Sequence, residues 1–293
     1  MGKITFPRIL VLGIDGLEYS LVEKWRLKNI MQKTYCKLDL SDYRVIATPP
    51  IWGSMLTGKI DDEIMKIWEK TSEIVGVIDH PKTNMKQKWW ARLGIKFLPL
   101  SVNEWIWHSF FEKQMGGNVI EITANYVNEK KQTNIFQFFE KPWTNGIPSY
   151  GRPFTDSIEK KLLDNAFREG KTPFRDYVIK NYKNDKIQLF SALDKQEYDI
   201  IFWYTSLLDK LGHIYIKNPL TLMKYYLEIN EIVGKAIEKC SSSRIYVISD
   251  HGMEPFKGTW GLHSKYAFFS SNTDETIDKP FQLYNLILKH KND

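Results

Sequence analysis

Residues 9–16 read Ile-Leu-Val-Leu-Gly-Ile-Asp-Gly, and this stretch decides the fold. A continuous apolar run closed by Asp15-Gly16 is the pattern of a strand buried on both faces of a parallel sheet and ended by a turn. Two later stretches repeat it. Tyr198–Ser206 (YDIIFWYTS) runs into Asp209, and Arg244–Ser249 (RIYVIS) runs into Asp250-His251-Gly252. Tyr35–Leu40 and Glu73–Ile78 read as further strands.

Helical patterns lie between the strands. Leu17–Gln32, Ile51–Leu56, Ile64–Thr71 and Phe281–His290 are predicted helices. Leu220–Cys240 is the most regular, with Leu222, Tyr225, Tyr226, Ile229, Ile232, Val233, Ala236 and Ile237 spaced at three and four. Thr48-Pro49-Pro50 opens the Ile51–Leu56 helix, with Thr48 expected at the N-cap. Strands alternating with helices predict an α/β fold: a mostly parallel central sheet with helices on both faces.

The chain has 293 residues, 43% hydrophobic and 26% charged, which excludes disordered and collagen-like classes. The net charge is +6, and all of it falls in one segment. Residues 82–185 hold 17 Lys+Arg against 11 Asp+Glu, whereas the rest of the chain holds 24 of each. Five of the 10 Trp lie in the same segment, where no repeat is visible. The expected organisation is a core of residues 1–81 and 186–293, with 82–185 an aromatic, basic cap packed on it as one unit. The aromatic clusters there (Trp89, Trp90, Trp105, Trp107, Phe110, Phe111, Phe136, Phe138, Phe139 and Trp143) suit a small satellite core.

Two cysteines, Cys36 and Cys240, make no disulfide framework and are expected to be free thiols. The Ile9–Ile14 run is too short for a signal segment, and no stretch approaches the ~20 apolar residues of a membrane span. The expected location is cytoplasmic.

In sheets of this class ligands gather at the carboxyl ends of the strands. Asp15, Asp209, His213, Asp250 and His251 stand there, and His263 follows in a short Gly-rich stretch. Each alone has an ordinary reading: a turn, a helical surface pair, a loop histidine. Three carboxylates and three imidazoles at one edge form a donor set for zinc-like divalent ions, and six ligands suit two ions.

These motifs, in this order, resemble the alkaline phosphatase superfamily, in its type I phosphodiesterase/nucleotide pyrophosphatase branch. The resemblance rests on Asp15, Thr48-Pro49-Pro50-Ile51-Trp52-Gly53-Ser54-Met55-Leu56-Thr57-Gly58, Asp209-Lys210-Leu211-Gly212-His213, Asp250-His251-Gly252-Met253 and His263. It implies one metal held by Asp209, His213 and His263, and a second held by Asp15, Asp250 and His251 with Thr48 as a fourth contact. It implies Thr48 as the nucleophile, and two divalent ions, zinc first, with manganese or iron as alternatives.

Chemistry supports that reading. A Thr hydroxyl is a weak nucleophile until it loses its proton, which metal coordination promotes. A helix start favours an anion. Two divalent ions against Asp15, Asp209 and Asp250 leave the site near +1, suited to a phosphate ester.

The pattern also departs from the branch. The Pro-x-x-His-Gly segment that follows the Thr-Gly pair in relatives is absent, and no Asn lies between Gly58 and Thr83 to contact a phosphate oxygen. Lys59 or a residue of 82–185 is the substitute expected. His80 is expected to be structural. The expected activity is phosphodiester or nucleotide pyrophosphate hydrolysis through a phospho-threonine intermediate. A phosphomonoesterase and a non-catalytic binding or regulatory module are the alternatives. The expected partner is a small anionic phosphoester, a nucleotide among the candidates, with neither a membrane nor a stable nucleic-acid complex.

Overall fold

The computed structural model describes residues 7–75, 123–166, 169–255 and 261–292, with only the backbone for 71–75. Its centre is a six-stranded sheet. In chain order the strands are β1 (Ile9–Ile14), β2 (Thr34–Asp39), β3 (Pro142–Thr144), β6 (Ile200–Thr205), β7 (Arg244–Ile248) and β10 (Tyr266–Ser271). Two small ribbons, β4 (Ile147–Pro148) with β5 (Gly151–Arg152) and β8 (Met253–Pro255) with β9 (Gly261–His263), lie outside it. The spatial order is β2-β10-β7-β1-β6-β3. β1 pairs parallel with β6 and β7, and β3 pairs parallel with β6. β10 runs antiparallel between β7 and β2, so the sheet is mostly parallel.

The apolar runs are continuous because both faces of the sheet are covered. Leu10, Leu12, Ile201, Trp203, Ile245 and Val247 enter one core, beneath helices Tyr19–Trp25, Thr172–Lys195, Leu207–Tyr215 and Pro219–Lys239. The alternate residues Ile9, Val11, Phe202, Tyr204, Tyr246 and Ile248 enter the other, beneath helices Thr48–Thr57, Asp62–Val75 and Gln282–Lys289. Side chains two apart share a face, so one run feeds two cores.

Several local expectations shift. Leu17–Gln32 is two short helices, Tyr19–Trp25 and Lys28–Met31, because Arg26 turns left-handed (φ 50°) and closes the first. Residues 73–75, expected to open a strand, instead end the helix Asp62–Val75; the remainder of that expected strand lies outside the described residues. Asp61 accepts from the Glu63 and Ile64 amides at the helix start, and once nucleated a helix extends cheaply. Pro142–Thr144 pairs with β6 at the sheet edge, and the helix Thr172–Lys195 runs continuously across positions 185 and 186.

Cys36 and Cys240 are free thiols. Among the described residues no helix is long and apolar enough to cross a membrane.

Candidate metal centre

The parallel register brings the acidic residues together. β1 ends at Ile14 and delivers Asp15, β6 ends at Thr205 and leads into the helix carrying Asp209 and His213, and β7 ends at Ile248 ahead of Asp250 and His251. A backbone hydrogen bond from Asp209 N to Asp15 O (3.0 Å) ties two of these loops. His263 is carried by β9, opposite Met253 in the ribbon with β8, and so swings in beside the Asp250-His251 loop. Thr48 enters from the facing helix.

Asp209, His213 and His263 form one cluster; Asp15, Asp250 and His251 form another. In the first, His213 Nε2 lies 3.2 Å and His263 Nε2 3.5 Å from Asp209 Oδ1, and the two nitrogens are 3.3 Å apart. In the second, His251 Nε2 lies 3.4 Å from Asp15 Oδ1, 3.2 Å from Asp250 Oδ2 and 3.3 Å from Thr48 Oγ1. Zinc with bonds of about 2.0–2.1 Å to nitrogen and oxygen has tetrahedral ligand–ligand edges of about 3.3–3.4 Å. Each of these six distances is within 0.2 Å of that span. The two clusters adjoin, since the His251 and His263 rings stack at 3.6 Å.

The imidazoles are oriented for the same task. His213 Nδ1 donates to Gly261 O (2.9 Å), His251 Nδ1 to Gly252 O (3.0 Å) and His263 Nδ1 to Ile46 O (3.1 Å). A proton fixed on Nδ1 leaves the Nε2 lone pair facing the cluster.

Four of the carboxylate oxygens have no hydrogen-bond partner. Asp15 Oδ1, Asp209 Oδ1 and both oxygens of Asp250 are buried and accept no hydrogen bond. Burial and then the Asp209 charge push the Asp15 carboxyl up to about 7. Burial and the Asp15 charge raise Asp250 well above the usual carboxylate range. Asp209 is buried too, but electrostatic attraction to the neighbouring His213 and His263 outweighs that and holds it low. Burial and the His263 charge keep His251 neutral, as a ligand must be. Buried carboxylate oxygens without hydrogen-bond donors, set among imidazole nitrogens, fit divalent cations.

Against this geometry the family can be settled. The family model described as type I phosphodiesterase / nucleotide pyrophosphatase matches residues 9–284. The chain belongs to the type I phosphodiesterase/nucleotide pyrophosphatase family. The matched span runs from β1, through both clusters, into the last helix. Murine ectonucleotide pyrophosphatase/phosphodiesterase 5 is a similar solved structure, with 14% identity over 84% of this chain and a TM-score of 0.37. An inactive variant of the same murine protein in complex with AMP gives 12% identity over 84% and a TM-score of 0.37. The chain spans 57% of the length of those solved chains. No curated protein matches the sequence.

All seven residues singled out for the site in this family member lie in the two clusters or against them. Two expectations change. Ala47, not Thr48, is the N-cap; Thr48 is the first helical residue, and its hydroxyl turns to His251 instead of capping. Pro49 and Pro50 have no N–H, so Thr48 offers the only amide of the first three helical positions. Lys59 stands past the far end of this helix, about 16 Å along the axis from Thr48 at 1.5 Å per residue, and is out of reach of the site. His80 lies outside the described residues.

Sequence reasoning missed Glu18. Its Oε2 accepts from Met253 N (3.0 Å) and Ser264 Oγ (3.1 Å), so one carboxylate ties the Asp15, Asp250-His251 and His263 segments. Gly252 makes room: a Cβ there would lie 2.1 Å from Glu18 Oε2. Also missed was Lys210, buried beside Asp209, with its Nζ 2.7 Å from both Glu159 Oε1 and Phe154 O. The only sequence signal was their position, next to ligand motifs.

Proposed function

We propose that this chain is a two-metal phosphoester hydrolase, a phosphodiesterase or nucleotide pyrophosphatase that works through a phospho-threonine on Thr48. The observation that carries the reading is Thr48 Oγ1 at 3.3 Å from His251 Nε2, beside the Asp15–Asp250–His251 cluster, which supports Thr48 as its fourth donor. Asp209, His213 and His263 would hold one ion; Asp15, Asp250, His251 and Thr48 would hold the other, zinc being favoured by the mixed nitrogen and oxygen donors at tetrahedral spacing. Two divalent ions, when bound, supply Lewis acidity at phosphoryl oxygens and ease loss of the threonine proton.

Thr48 Oγ forms the bond to phosphorus and gives up its proton as the ester oxygen leaves and takes one. Water then cleaves the phospho-threonine, returning the hydroxyl and releasing phosphate or its monoester. The Thr48 amide, at the positive end of its helix, is placed to donate to a phosphoryl oxygen.

A diester is favoured over a monoester. Arg44, the arginine nearest Thr48 in sequence, is engaged by Asp62 and Glu69 at 3.0 Å each, away from the extra charge of a monoester. Residues 82–185 form the proposed cap. Its described part reaches the nucleophile helix, where Ser149 Oγ donates to Pro49 O (2.8 Å), and its charge suits an anionic ester such as a nucleotide. The free thiols accord with the cytoplasmic location we infer.

Purified protein is expected to hydrolyse bis-p-nitrophenyl phosphate faster than p-nitrophenyl phosphate. Thr48→Ala should lower diester turnover at least 100-fold while both metals stay bound, and wild type acid-quenched during diester turnover should carry a p-nitrophenyl phosphoryl group on Thr48. Full turnover by Thr48→Ala would sink the nucleophile assignment, and a faster monoester rate would reverse the diester preference. Metal binding with no turnover of either ester would leave the binding-module reading.

A further inference from the structure

Asp15 presents its two oxygens to different neighbours. Oδ1 faces His251 Nε2 at 3.4 Å and accepts no hydrogen bond. Oδ2 accepts a hydrogen bond of 2.5 Å from Tyr204 Oη. Tyr204 belongs to β6, next to β1, and both residues are buried.

The phenol is fixed from several sides. Asn145 brackets its backbone, accepting from Tyr204 N and donating to Tyr204 O at 2.8 Å each. Trp52, from the helix that begins at Thr48, packs edge-on against its ring at 5.2 Å. The Arg152 guanidinium lies 5.0 Å from the ring centroid. Arg152 is itself held by Asp185 through two parallel bonds of 2.9 and 3.0 Å, and Asn145 donates to the same carboxylate (3.2 Å). A cation over a phenol face draws electron density from the ring and makes the O–H a better donor.

We propose that Tyr204, backed by Arg152 and Asp185, is a positioning residue that holds Asp15 Oδ2 so that Oδ1 alone faces His251 Nε2. This rests on the two-metal reading above. The Tyr204 hydroxyl donates to Asp15 Oδ2 while Oδ1 accepts no hydrogen bond, so the phenol sets the rotation of the carboxylate. If the carboxylate rotates, Oδ1 leaves the set that includes Thr48 Oγ1. Partners that orient metal ligands typically matter about 10- to 100-fold in affinity or activity.

The test is Tyr204→Phe, which keeps the ring and removes one oxygen, with zinc affinities measured by chelator competition. Wild type should bind two zinc ions. In the variant one dissociation constant should rise at least tenfold and the other change less than twofold. The same rise should appear in a His213→Ala background, where the Asp15 cluster alone is intact. The kcat for bis-p-nitrophenyl phosphate should fall at least tenfold with KM within threefold, and Arg152→Gln should move the same constants the same way by a smaller factor. Unchanged or tighter zinc binding in Tyr204→Phe overturns the proposal. So does equal weakening of both sites alongside a lowered melting temperature, which is the mark of a merely structural role. Failure of wild type to bind two ions would instead overturn the two-metal reading itself.

Discussion

Asp250 is buried with both oxygens unsatisfied, beside a second buried carboxylate on Asp15. Such an arrangement is unfavourable unless positive charge is supplied. Glu18 shows the opposite solution, with each oxygen taken: Ser20 donates through N (3.0 Å) and Oγ (2.8 Å) to Oε1, while Met253 and Ser264 take Oε2. Glu18→Ala should therefore reduce zinc affinity about tenfold at both clusters, measured by chelator competition; an unchanged affinity would show the three loops to be held without it. At the other end of β7, Glu275 meets Lys289 (2.8 Å), His290 (2.5 Å), Arg244 (3.4 Å) and Tyr246 Oη (3.4 Å). Burial acts to raise this carboxyl, but the Lys289 and His290 bonds prevail and hold it at about 2, below its ordinary 4.5. A depressed carboxylate stabilises the fold fully above its unfolded value and loses that contribution as pH falls through the folded one. Glu275→Gln should cost about 1 kcal/mol at pH 7, with the difference from wild type closing between about pH 4.5 and 2 in urea titrations and turnover unchanged. The candidate ligands Asp15, Asp209, His213, Asp250 and His251 were legible in the sequence because they stand on the loops and helix that follow buried strands. Tyr204 and Glu18 were not, since their roles rest on contacts 189 and 235 residues away.

At the scale of elements, turn geometry decides how closely the loops approach. Gly16 has φ 70°, and a Cβ there would stand 2.5 Å from Asp209 Cα, so the first loop can lie against the helix carrying Asp209 and His213 only because no side chain intervenes. Gly16→Ala should destabilise the protein by at least about 2 kcal/mol in chemical denaturation, from left-handed strain plus a backbone clash; a loss under 0.5 kcal/mol would mean the loops can separate freely. The buried antiparallel strand β10 was not read, whereas the buried parallel strands β1, β6 and β7 were readable to within a residue or two, since an apolar run between turns has few other fates. Residues 73–75 were not, because a short apolar run serves a strand or a helix end equally and the helix begun at Asp62 was already growing. Thr48 shifted by one position for a similar reason: either Ala47 or Thr48 could precede two prolines, and the backbone placed the cap at Ala47.

For the whole molecule, the sheet places two donor clusters at one edge and leaves charge balance to what they bind. Zinc should stabilise the fold by about 2.7 kcal/mol per site at 100-fold excess over Kd, raising the melting temperature by several degrees. A chelator should reverse the shift, and a melting temperature indifferent to both would argue against buried ligation. The segment 82–185 carries the chain's net charge of +6, and in its described part it is woven into the core through β3 and through the Lys210–Glu159 pair. Composition located that segment, but pairing across the sheet edge depends on a three-residue strand too short to announce itself. The central claim, a two-metal centre split between these clusters, is tested most directly by counting zinc per chain with mass spectrometry after exhaustive dialysis. The account predicts two ions in wild type and one in each of His213→Ala and His251→Ala; a wild-type protein retaining none, or losing both ions to either single change, would contradict it.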